Sequence, residues 1–160
     1  MAPGTKKNLA VIVAICTVLV SVEAIMVYRQ EMKKMLATGT SCNLGEVREA
    51  FNSFREEHRR WPISMDEIYG DKYFLEGTLT PENCIDQIAN APFQCVTDKN
   101  LFIKIGEGDL RQVLVVSPKP FNDASWPKTR LRIYALDSLG GISKISPSEL
   151  NNAHGSDYGT

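Results

Sequence analysis

Four cysteines, two histidines and a glutamate set in an apolar run are the residues of this 160-residue chain whose types could carry chemistry. A thiol becomes a nucleophile when a neighbouring base or cation lowers its pKa, and zinc-type sites want cysteines or histidines in close pairs. Cys16, Cys42, Cys84 and Cys95 have no CxxC spacing, and His58 and His154 stand alone. No metal and no cofactor are therefore expected. A thiol enzyme built on Cys42, Cys84 or Cys95 would need the fold to bring a distant base to one of them. In an exported domain Cys84 and Cys95 are the expected disulfide, because each flanks a short connection, with Cys42 left free. Ordinary buried thiols are the alternative. Cys16 reads as a small hydrophobe, since Val13-Ala14-Ile15 lacks the small residue that a lipidation site wants before its cysteine.

Glu23 is the one charge in residues 9–28, LAVIVAICTVLVSVEAIMVY. A carboxylate there either pairs inside a bundle of membrane helices or snorkels to the interface and meets a cation one turn away. The latter is the expected arrangement. The triplet His58-Arg59-Arg60 could hold an anion or a lipid headgroup, but its place in the last turn of a helix is accounted for by the helix dipole.

The elements that must position these groups begin with that apolar run. About 20 apolar residues at ~1.5 Å rise cross the ~30 Å hydrocarbon layer of a bilayer. Residues 9–28 are therefore a transmembrane helix, and residues 1–8, with Lys6 and Lys7, a basic flank that stays in the cytoplasm. A cleavable signal cut near Val22-Glu23-Ala24 is the competitor. A retained anchor is preferred because AIMVY continues the run, and Met32, Met35 and Leu36 extend an apolar stripe. Residues 29–42 continue the helix to a hinge, with ATGTSCN at 37–43 as the interruption and Gly39 as its centre.

The rest predicts one soluble α+β domain over 43–150. A helix restarts at Asn43 with Glu46 as a capping box, and Leu44, Val47, Phe51 and Phe54 share one face. Trp61-Pro62 ends it, Ser64 and Glu67 cap a short turn closed by Gly70, and Thr80-Pro81 starts one more short helix through Ile88. Strands follow at 93–96, 101–105, 112–116, 130–136 and 142–145, separated by turn signals, as an antiparallel meander. The alternation in 130–135 predicts one buried and one wet face. A proline-rich crossing between the third and fourth strands carries Phe121 and Trp126, and residues 151–160 read as a disordered tail.

One transmembrane helix, an amphipathic helix, a short helical turn and an antiparallel sheet, with FREEHRRWPISMDEI at 54–68, resemble type IV pilins and type II secretion pseudopilins. The resemblance implies a pilin-like fold on a single membrane anchor, facing the periplasm or the exterior. The family's cleavage glycine and its glutamate at the fifth mature position have no counterpart, since Thr5-Lys6-Lys7-Asn8 follows Gly4 and Glu23 stands far inside the helix. No family functional residue is carried over.

The formal net charge of -1 shows no basic excess of the kind that nucleic-acid binding needs. The expected partners are the lipid bilayer and proteins, including self-association through the N-terminal helix. A structural or assembly subunit is the first expectation, and a tethered module for a peptide, glycan or envelope component the second.

Overall fold

The computed structural model describes residues 3–74, 77–96, 101–105, 109–123 and 130–152. It divides into two compact units, Met1–Leu36 and Ala37–Thr160. Helix α1 (Pro3–His58) runs through both without a break. The interruption expected at 37–43 is absent, and Gly39 is an ordinary helical residue.

In the first unit, α1 is long and apolar enough to cross a membrane, with a best window of mean hydropathy 2.5. Val11, Ile15, Val18, Leu19, Val22, Met26 and neighbouring apolar residues are exposed on every side. Its hydroxyls are satisfied within the helix, Thr17 Oγ1 donating to the Val13 carbonyl at 2.9 Å and Ser21 Oγ to that of Thr17 at 2.8 Å. Apart from Cys16 and Glu23, this stretch presents hydrocarbon and internally bonded hydroxyls to its surroundings.

In the second unit the same helix changes character. Leu44, Val47, Ala50, Phe51 and Phe54 form one buried stripe. The helix ends where Arg59 takes φ +57, donating its amide to the Arg55 carbonyl at 2.8 Å. After Trp61-Pro62 a single 3-10 turn, Met65–Glu67, starts from Ser64, whose hydroxyl accepts the Asp66 amide, and Gly70 closes the segment at φ +105. No helix forms after Thr80. Thr80 and Asn83 instead bond each other across a turn, and the chain leaves it as β1 (Ile85–Asp86), paired with β2 (Ala91–Pro92).

The main sheet comprises β3 (Gln94–Cys95), β4 (Phe102–Ile105), β5 (Asp109–Val116), β6 (Phe121–Asp123), β7 (Arg130–Asp137) and β8 (Ile142–Ile145). The order is β3-β5-β7-β6, with β4 also on β5 and β8 also on β7, every pair antiparallel. The described residues end with α2 (Pro147–Asn152), so residues 151 and 152, expected in the disordered tail, are helical. Each expected strand is present, but the expected meander is corrected at its start: β3 pairs with β5 and not with β4, and β6 is an addition within the proline-rich crossing. Trp126, Pro127, the expected turn at 98–100 and the tail from 153 lie outside the described residues.

One hydrophobic cluster joins the α1 stripe to Leu114, Val115, Tyr134 and Leu136. A second, on the other face of the sheet, gathers Leu101, Ile103, Val113, Val116, Ile133, Ala135, Ile145 and Leu150. The expectation of a wet face on β7 is corrected by this second cluster. Residues 133–137 are buried in succession because α1 covers one face while Leu101 and Leu150 cover the other. A register shift between Val113 and Val115 turns both Leu114 and Val115 to the α1 side, which strict alternation forbids.

Candidate functional site

The polar stretch at 37–43 is a docking stripe on an unbroken helix. Thr40 is fully buried and its hydroxyl donates to Asp86 Oδ1 at 3.0 Å. The same Asp86 oxygen accepts the Ile88 and Ala89 amides at 2.8 and 3.1 Å, and the Gln87 amide reaches Thr40 Oγ1 at 3.0 Å. Asn43 donates to the Ile85 carbonyl at 2.8 Å, and Tyr134 donates its phenol proton to the Ala37 carbonyl at 3.2 Å. A Cβ on residue 39 would run into the Gln87 amide, so glycine lets the 85–89 loop approach the helix. Burial holds the Tyr134 phenol up at about 12, with the Asp86 and Asp123 carboxylates adding to the shift. Sequence reasoning missed Thr40 and Asp86. The signal was present as hydroxyls and amides clustered in a segment whose flanks kept a helical stripe.

A second buried carboxylate, Asp137, organises the β7–β8 turn. Its Oδ1 accepts the Leu139 and Gly141 amides at 2.8 and 2.9 Å, and its Oδ2 accepts from Arg111 at 3.2 Å. Gly141 is required there, because a Cβ would strike Asp137 Oδ2.

The end of α1 accounts for the basic triplet without a ligand. Arg60 forms a two-point pair with Glu67 at 3.1 and 2.5 Å and lies over the Phe54 ring. Arg60, followed by the Ile63 amide, holds the Glu67 carboxyl down at about 2. His58 Nε2 meets the Tyr73 hydroxyl at 2.8 Å, and both rings pack on Phe54.

The expected Cys84–Cys95 disulfide is corrected, since all four cysteines are free thiols. Cys84 is fully buried and Cys95 half-buried against the α1-side cluster. Phe93, opposite Cys84, donates its amide to the Cys84 carbonyl at 3.2 Å, so Cys95 lies two residues beyond direct opposition. Burial pushes both thiols up to about 12, with Glu46 adding to Cys84 and Glu67 and Asp66 to Cys95. Neither is a thiolate nucleophile at neutral pH. Cys16 and Cys42 are exposed on α1.

Glu23 is exposed on α1 and forms no ion pair among the described residues, so the expected cation one turn away is not engaged. The charge pair near that end of the apolar run is Glu31 with Lys34, at 2.6 Å. Phe121 is half-buried and stacked on Tyr134 with ring centroids 5.1 Å apart, so it offers no open aromatic platform. Among the described residues no three His, Cys, Asp or Glu side chains gather to hold a metal ion. An open groove of about 530 Å³ lies beside the start of β7, lined by Arg130, Leu131, Arg132 and residues 146–149.

No protein-family model matches the chain, and neither a curated protein nor a solved structure does.

Proposed function

We propose that the protein is a single-pass membrane-anchored structural or assembly subunit whose second unit is a pilin- or pseudopilin-like domain on the outer side of the membrane. The observation that carries the reading is the apolar part of α1, whose hydrophobic residues are exposed all round while its hydroxyls are internally bonded. In water that surface is unfavourable at roughly 25 cal/mol per Å² of apolar area, so it calls for lipid or for other helices, including a second copy of itself. On this reading the chain is neither an enzyme nor a cofactor carrier. Its buried carboxylates Asp86 and Asp137 fix loops, and its core thiols are held protonated.

Cys42 is a natural reporter of sidedness, being exposed and close to the outer end of the span. A membrane-impermeant maleimide applied to intact cells should label Cys42, and the protein should stay in the membrane through alkaline extraction. Labelling only after permeabilisation would overturn the orientation. Release by alkali would overturn the anchor.

A further inference from the structure

Strand β7 is eight residues long, but β8 pairs only with its residues 133–136. β5 pairs with its residues 135–137 and β6 with its residues 130–132. Among the described residues, 130–132 pair with β6 alone, because the chain turns away at Ser146 into α2. The groove left there is the one of about 530 Å³.

Its chemistry is specific. Arg130 and Arg132 fall on one face of the strand and Leu131 on the other. Leu131 is 53% exposed although it lies in a strand. Arg130 is exposed and has no ion pair among the described residues. Arg132 is only loosely held, its ion-pair partner among the described residues being Glu149 at 3.9 Å, and the same Glu149 oxygen already accepts the Ser146 amide at 2.5 Å. Two guanidinium groups two residues apart, with an aliphatic side chain between them on the opposite face, complement an extended chain of alternating acidic and apolar residues. A lipid headgroup would use the charge but neither the open strand flank nor the alternation.

We propose that the open flank of β7 at Arg130, Leu131 and Arg132 takes an extended acidic peptide segment of a partner protein by strand addition. Acidic side chains at alternate positions meet the two arginines, and the apolar residue between them lies over Leu131. The proposal rests on the assembly reading only for the existence of a partner, and names that partner's chemistry.

The test uses the full chain in zwitterionic nanodiscs and a fluorescein-labelled peptide of alternating Glu and Val, read by anisotropy. Binding is expected. Methylating alternate backbone nitrogens of the peptide, or making Arg130→Gln with Arg132→Gln, should each weaken it by about tenfold or more. Thermal unfolding confirms that the double variant is folded, and Lys119→Gln, at an exposed lysine that does not line the groove, serves as a basic control expected to change binding little. Equal affinity for the N-methylated peptide, or for one with its glutamates in a single block, would overturn strand addition. No binding up to millimolar peptide would overturn the site. Binding that appears only when the nanodiscs carry anionic lipid would reassign the arginines to the membrane. The alkaline-extraction result is independent of all these readings, so failure of the peptide site and failure of the anchor are separable.

Discussion

Two stretches of one helix obey different rules. Between residues 11 and 28 α1 is apolar on every side and buries none of it, whereas Leu44, Val47, Ala50, Phe51 and Phe54 form a single stripe in a folded core. The first stretch is stabilised by its own hydrogen bonds. The second is held by packing on Leu114, Val115, Tyr134 and Leu136. The difference teaches that apolar content locates the span, while one-sidedness locates the domain.

Truncation should separate the two most sharply. Phe51→Ala is expected to lower the unfolding free energy by about 3–5 kcal/mol, followed by the fluorescence of Trp61, which packs beside Phe51 with ring centroids 6.4 Å apart. Val18→Ala should change it by no more than about 0.5 kcal/mol. Similar losses in both would abolish the distinction. The reverse contrast comes from Val18→Lys, which should weaken membrane insertion by roughly 2.5–3.5 kcal/mol in a flotation assay while leaving the denaturation midpoint in place.

The boundary between the stretches is tested next. Asp86→Ala leaves Thr40 and the Ile88 and Ala89 amides without their acceptor and should cost about 1–3 kcal/mol in denaturant unfolding. Gly39→Ala should shift stability by under about 1 kcal/mol, because better helix propensity offsets displacement of the flexible Gln87 amide. A loss well beyond that would restore the hinge at Gly39.

The smallest effect concerns the far end of α1. The Glu67 carboxyl falls from 4.5 to about 2 on folding, so its contribution is full above about pH 4.5 and fades as pH drops toward 2. Because the pair with Arg60 is largely solvated, the change is modest. Glu67→Gln should flatten that limb of the stability curve, and parallel curves for the two proteins would show that the pair adds nothing.

Much of the fold was legible because it rests on local periodicity. The stripe of Leu44, Val47, Phe51 and Phe54, the capped turn at Ser64, and the five expected strands all follow from spacing that no tertiary contact reverses. What misled was polarity read without its partner. Thr40 and Asn43 looked like a helix stop because their partners, Asp86 and the Ile85 carbonyl, lie more than forty residues downstream. Arg130-Leu131-Arg132 read as the start of an alternating strand with one buried and one wet face, when among the described residues it pairs with β6 alone beside an open groove.

The sequence by itself determined that one helix is apolar enough to cross a membrane, that a one-sided helix follows, and that the remainder is strands. These properties depend on side-chain type at a fixed period. Only the tertiary structure decided that α1 is continuous through Gly39, that both faces of β7 are covered, and that Cys84 and Cys95 stay apart as protonated thiols. Each of these depends on which distant group arrives opposite a residue, and neither propensity nor spacing along the chain encodes that meeting.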